Sequence, residues 1–275
     1  MPSRESQKFS FLRAQSEMPD RSAERIIRTF SDLSWRQSLH LEHALARPER
    51  RIRPSVAARS VPIAGQVIRR ACESICAGLG LILLLPVFAM IALAIKLDDG
   101  GPIFYSHKRI GKGHRKFRLF KFRSMVSGPT YGSTVTAPQD SRVTSVGQFL
   151  RRFKLDELPQ LANVLKGEMQ LVGARPQMEK FVDIFSDEYD ELLQSWPGIT
   201  DPASLIFRNE AKFFYEGSIE EQYIKRIMPI KLEISLKYSR TRTFFSDLGI
   251  LFRTVLGLPA PAAVWETISF HFQVR

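Results

Sequence analysis

Ile75 to Ile95 reads ICAGLGLILLLPVFAMIALAI, 21 residues without a charge and with a single proline, Pro86, near the middle. As a helix this length suffices to cross a hydrocarbon core of roughly 30 Å, and buried helices of soluble domains rarely run so far without a polar side chain. The run is therefore read as membrane-inserted. Both of its flanks are basic. Residues 1–70 carry 14 Arg or Lys against 7 Asp or Glu and end in Arg69-Arg70, while Lys108 to Arg123 holds eight Arg or Lys and no acid. Basic flanks belong on the cytoplasmic side, and one crossing cannot put both there. Pro86 resolves the conflict, because it removes an intrahelical hydrogen bond and kinks the helix. The expectation is a hairpin-like re-entrant helix that enters and leaves on one face, with an ordinary span as the alternative. Its freed carbonyls need partners within the protein.

The chain has 275 residues, a net charge of +12 and a pI near 10, which call for an anionic partner. Nucleic acid, an anionic membrane surface and a phosphorylated substrate all satisfy that demand. No nucleic-acid-binding module is recognisable, and the uncharged run argues against one. Cys72 and Cys76 are the only cysteines, so no disulfide framework is indicated and a reducing, cytoplasmic setting is the default. No secretory signal opens the chain; its first long apolar stretch begins only after residue 70. Residues 1–66 read as a basic, disordered extension with short helices around Ala23–Phe30 and Leu39–Ala46. Residues 67–97 form the membrane segment, 98–258 a cytoplasmic catalytic domain and 259–275 a tail.

Beyond the run, Ile103–Ser106 and Lys116–Phe122 are expected as short strands joined by a Gly111–Gly113 turn. The second alternates Lys or Arg with Phe or Leu, a basic face backed by an aromatic one. Residues 127–141 read as a loop. From Val143, apolar Val146, Phe149, Leu150 and Phe153 share a side with Arg142, Arg151, Arg152 and Lys154 beside them, an amphipathic helix suited to an anionic headgroup region. A surface helix with a solvated charged face is the competing view. Ile230 to Leu258 repeats the apolar periodicity. The fold class is thus α+β and helix-dominated: a monotopic membrane protein with a Pro-broken re-entrant helix and interfacial helices around a small cytoplasmic catalytic domain.

Two adjacent acids, Asp156 and Glu157, sit between Arg151, Arg152 and Lys154 and an apolar helical stretch at Leu158, Leu161, Val164 and Leu165. A cationic approach to paired carboxylates suits an enzyme that handles phosphates. The plainer reading makes Asp156 a helix N-cap, with Glu157 and Pro159 in the first turn.

Several stretches in order resemble the bacterial sugar transferase family, monotopic phosphoglycosyl transferases acting on polyprenyl phosphate. They are Arg69-Arg70 before the Pro-broken run, Gly101-Pro102-Ile103-Phe104, Lys121-Phe122-Arg123-Ser124-Met125 and Arg142-Val143-Thr144. They continue through Leu155-Asp156-Glu157-Leu158-Pro159-Gln160, Asn163 to Met169, Leu171 to Pro176 and Pro197-Gly198-Ile199-Thr200. The resemblance covers roughly residues 67–258. It implies transfer of hexose 1-phosphate from a UDP-sugar to undecaprenyl phosphate at the cytoplasmic face of the inner membrane, with release of UMP. That step would open exopolysaccharide or lipopolysaccharide synthesis.

By that resemblance Asp156 is the nucleophile and forms a covalent phosphosugar-aspartate. A Mg²⁺ ion falls to Glu157 with Asp156, and Lys121, Arg123, Arg151 and Arg175 are carried as phosphate-binding candidates. A helix N-terminus would keep Asp156 ionised. Each cation has a structural alternative: Arg175 could cap carbonyls in its turn, Arg151 could pair with the acids or meet lipid headgroups, and Lys121 and Arg123 could be an exposed strand face. A second copy of the chain is left open as a partner. The chain departs from the family pattern at Leu85, where Ser is usual before the proline, at Glu73 for Asp, and at Ala174 in the usual Gly-Pro-Arg-Pro. It departs again after Thr200, where Asp201-Pro202-Ala203-Ser204 falls in a region expected to shape the sugar or nucleotide pocket. A catalytically silent membrane-surface scaffold remains the alternative from another class.

Overall fold

The computed structural model describes residues 63–126, 140–214 and 217–261. The expected N-terminal helices, most of the 127–141 loop and nearly all of the 259–275 tail lie outside the described residues. The described fold belongs to one compact unit, Ile52–Ala260.

Helix α1 (Ile63–Leu83) begins inside the stretch assigned to the extension, and α2 (Leu85–Asp99) follows after Leu84 alone. The two are bent by 58° at this break, and no single helix among the described residues is long and apolar enough to cross a membrane. Pro86 sits in the first turn of α2, so the carbonyl of Ile82 has no amide four residues on, and the bend falls where that bond is lost. An open bend replaces the hairpin-like form expected: the two arms splay and do not fold back along each other. Gly100, at φ 71°, ends α2 with its amide on the Lys96 carbonyl.

Strands β1 (Phe104–Ile110) and β2 (Lys116–Phe122) form an antiparallel hairpin in the register Tyr105↔Lys121, His107↔Leu119, Arg109↔Phe117. Alternation then separates two faces. Phe117 and Leu119 pack with Ala77 of α1 and with Val164 and Met169. Phe122 packs with Ile91 and Ile95 of α2 and Leu150, with Leu155 and Leu158 alongside. The hairpin is thus wedged between two apolar clusters.

Helix α3 (Ser145–Phe153) is capped by Thr144, whose side chain accepts from the Gly147 amide. A Cβ on Gly147 would stand 2.1 Å from the Ser124 carbonyl, so only glycine lets α3 approach β2's exit this closely. A 3₁₀ turn, Leu155–Glu157, leads into α4 (Gln160–Leu165). Strand β3 (Gln170–Val172) pairs in parallel with β4 (Gly198–Thr200), and α5 (Glu179–Ile184) and α6 (Ser186–Leu192) lie between them in the chain. Pro197-Gly198 therefore opens a strand as well as a turn, and a Cβ on Gly198 would stand 2.1 Å from the Gly173 amide nitrogen. Helix α7 (Pro202–Ile206) follows, then α8 (Ile219–Gln222), α9 (Met228–Thr241) and α10 (Phe244–Leu256). The periodic stretch 230–258 is two helices, because Thr243 and Ser246 form a reciprocal cap that starts a new one.

Arg69 and Arg70 do more than flank the apolar run. Arg69 pairs with Glu73 and, at 2.7 Å, with Asp247 of α10, and Arg70 donates to the Met169 carbonyl at 2.6 Å. The basic pair moors α1 to the rest of the unit.

Candidate active site

Apolar neighbours on both sides position the acidic pair. Leu155 and Leu158 pack into the cluster around Phe122, and Leu161 and Val164 into the one around Leu119. Asn163, fully buried, ties this segment to β2: its Oδ1 accepts from the Phe120 amide at 3.0 Å and its Nδ2 donates to the Arg118 carbonyl at 2.7 Å. These bonds bracket Leu119 and set Lys121, two residues on, over the acids.

Lys121 shares the face of Phe117 and Leu119, so alternation turns it inward and leaves Lys116 and Arg118 on the exposed basic side. Its Nζ lies 2.9 Å from Glu157 Oε1 and 3.6 Å from Asp156 Oδ2. Arg175 grips Glu157 with both Nη atoms, Nη1 at 2.9 Å from Oε2, and Nη1 also donates to the Ile199 carbonyl at 3.2 Å. The carbonyl-capping alternative for Arg175 is thus realised alongside a bidentate ion pair. Arg151 donates through Nε to Ser124 Oγ at 2.8 Å and feels the charge of Asp156. Arg123 is not brought to the acids. It is buried in an ion pair with Asp99, beside the Gly101 backbone.

Asp156 is 4% exposed and lies inside the 3₁₀ turn. It caps nothing: Pro159 holds the N-cap position of α4, and the turn has no side-chain cap. The dipole argument for its ionisation therefore falls away. Burial raises its carboxyl above the usual aspartate range; the Lys121 charge opposes this and that of Glu157 adds to it. Glu157 goes the other way. Burial would raise it too, but the charges of Arg175, Lys121 and Lys154 and the Arg175 hydrogen bonds hold it well below the usual glutamate range. Two adjacent carboxyls are thus split into a more acidic, ion-paired anchor and a less solvated, more basic neighbour. Asp156 Oδ1 is buried and has no hydrogen-bond partner among the described residues.

Two further groups belong to the site. Lys154 takes a left-handed conformation, φ 59°, that turns it back toward both acids. It had stood in the sequence only as one of several bases. His107 is half-buried, with both ring nitrogens inside, and feels the charges of Arg109, Lys121, Arg175 and Glu157; only the hairpin register could have disclosed it. On the far side of Arg175 lies a cavity of about 20 Å³, room for one water, lined in part by Gln177, Asp201, Lys231 and Ser235. Asp201 caps α7 by accepting from the Ser204 amide at 2.8 Å and also takes the Ser235 hydroxyl.

The bacterial sugar transferase model matches residues 64–259, which include every element described above save the first residue of α1. The chain belongs to that family. It is 31% identical over 210 residues to the exopolysaccharide production protein ExoY of Rhizobium meliloti (strain 1021), covering 70% of this chain and 86% of that one. It is 34% identical over 195 residues to the undecaprenyl-phosphate glucose phosphotransferase of Komagataeibacter xylinus, covering 68% and 35% respectively. It is also 35% identical over 213 residues to the UDP-glucose:undecaprenyl-phosphate glucose-1-phosphate transferase of Escherichia coli (strain K12), covering 74% and 43%. The chain spans less than half of each of the last two.

Proposed function

We propose that this member of the family transfers hexose 1-phosphate from a UDP-sugar to undecaprenyl phosphate, through a phosphosugar carried on Asp156, as an opening step of exopolysaccharide or lipopolysaccharide synthesis. It is a phosphoglycosyl transferase. The observation that carries the mechanism is the division of labour between the acids: Glu157 is locked by Arg175 and Lys121, while Asp156 keeps one oxygen unbonded. Burial raises the Asp156 carboxyl, and a carboxylate stripped of solvent in this way is a stronger nucleophile than a solvated one. The Asp156 carboxylate attacks the sugar-bearing phosphorus, that P–O bond forms as the bond to UMP breaks, and UMP leaves with the electron pair. The lipid phosphate then displaces the aspartate, which returns as carboxylate. Lys121, Arg151 and Lys154 offset the charge of the approaching diphosphate.

The donor set suits Mg²⁺, which binds through one or two carboxylates together with substrate phosphates. Asp156 and Glu157 are adjacent, and the open Asp156 oxygen is an orphaned buried acceptor. When bound, the ion would supply neutralisation of phosphate charge. Arg175 keeps Glu157 ionised for that role.

The bent helix pair supports a monotopic reading at the cytoplasmic face of the inner membrane. Ile75, Leu79, Ile82 and Leu83 of α1 and Leu85, Met90, Leu93 and Leu97 of α2 are exposed large apolar side chains. With a bend of 58° shared equally between the arms, the 15 residues of α2 would reach about 11 Å deep, roughly a third of the core. Phe149 and Phe153 of α3 and Phe244, Phe245 and Phe252 of α10 are exposed as well, as interfacial helices require.

The test is UMP release from membranes supplied with a panel of UDP-sugars, undecaprenyl phosphate and Mg²⁺, with Asp156→Asn as control. Release by the wild type and none by the variant is expected. No release with any sugar would leave the silent scaffold as the better reading.

A further inference from the structure

On β1 the residues facing the same way as Lys121 are Tyr105, His107 and Arg109. Two of these are chemically unfinished. Among the described residues, both ring nitrogens of His107 are buried without a hydrogen-bond partner, and so is Nε of Arg109. Among the described residues the Arg109 guanidinium makes one long polar contact, 3.4 Å to Gln177 Oε1, and no carboxylate pairs with it. A buried guanidinium without an acid is costly. The surroundings add to the cost: burial and the charge of Arg175 lower Arg109 to about 10, and burial with Arg109, Lys121 and Arg175 drives His107 to about 3, a neutral ring. Such an arrangement is complete only when an anion arrives.

We propose that His107 and Arg109 form an anion subsite that holds the phosphate which is not transferred: the phosphate of the departing nucleoside monophosphate in the first half-reaction and that of the polyprenyl phosphate in the second. The inference rests on the ping-pong reading above. In each half-reaction the entering and leaving oxygens lie in line through the transferred phosphorus. Asp156 enters in the first step and leaves in the second, so the other partner stands opposite Asp156 both times. One phosphate position therefore serves UMP and lipid in turn. Arg109 meets the dianion with its unspent donors, and the neutral imidazole adds one N–H without a charge that would hold the product back. Lys121 and Arg175, against the acids, are left for the phosphoryl group in transfer.

The test uses the full chain in lipid nanodiscs, comparing wild type with Arg109→Gln, Arg109→Lys and His107→Leu. The readouts are the inhibition constant of UMP and the KM of undecaprenyl phosphate. Arg109→Gln should weaken both by roughly 10- to 100-fold, in similar proportion, with partial recovery in Arg109→Lys and a smaller loss in His107→Leu. A shift in only one ligand contradicts a shared subsite, and no shift in either contradicts the subsite altogether. Should the variants fail to fold, phenylglyoxal modification of Arg109 in the wild type, read by peptide mass spectrometry, replaces them: UMP and undecaprenyl phosphate should each protect it, and protection by neither overturns the proposal. A wild type that releases no UMP with any donor sinks the transferase reading instead.

Discussion

Lys121 Nζ lies 3.6 Å from Asp156 Oδ2, joining strand β2 to the acidic turn across 34 intervening positions of chain. The ammonium opposes the burial that raises the Asp156 carboxyl. The acid limb of UMP release should therefore lie above the ordinary aspartate value, and Lys121→Met should move it higher still while lowering the rate at neutral pH roughly 100-fold. A pH profile of single-turnover UMP release checks both.

The opposite shifts of the two acids give opposite stability effects. Glu157 is depressed when folded, so its contribution is present above the unfolded value near 4.5 and lost as pH falls through the folded one. Asp156 is raised, so its contribution is present below 3.8 and lost as pH rises through its folded value. At pH 7, Glu157→Gln should thus destabilise by roughly 3 kcal/mol, since Arg175 loses its charge partner, whereas Asp156→Asn should leave the melting temperature unchanged or higher. Thermal melts in detergent at pH 7 and pH 4 distinguish the two, and the Glu157→Gln deficit should shrink at the lower pH.

Asn163 pins β2 through Phe120 and Arg118 and also donates to Glu168 at 2.7 Å. Asn163→Leu would leave those strand groups buried without partners, at roughly 1–3 kcal/mol each. Turnover should fall more than stability alone explains, because Lys121 loses its placement; kcat measured well below the melting temperature is the readout.

Pro86→Ala would return an amide to the Ile82 carbonyl and favour a straighter helix. Maleimide labelling in intact spheroplasts, at single cysteines placed before α1 and after α2, should find both ends cytoplasmic in the wild-type background. In Pro86→Ala the labelling of one end should change.

The order of motifs, the apolar run and the acidic pair were legible in the sequence, because each rests on contiguous residues. What joins them was not. Arg175 reaches Glu157 from a separate turn, and Arg123, two positions from Lys121, is drawn away by Asp99. Lys121 itself was readable in hindsight: it stands two and four residues after Leu119 and Phe117, on their face. The left-handed Lys154 left no mark, since a lysine carries no signal for that conformation. The β3–β4 pairing was hidden in runs too short to show a period, and its trace is the pair of glycines, Gly173 and Gly198, that let the backbones meet.

The most direct test is to quench the wild-type protein with UDP-sugar and Mg²⁺ but no lipid phosphate, then map the adduct by mass spectrometry. The account requires one hexose phosphate on the peptide containing Asp156, lost on adding undecaprenyl phosphate and absent in Asp156→Asn. An adduct on any other residue, or UMP release that requires the lipid acceptor, would contradict it.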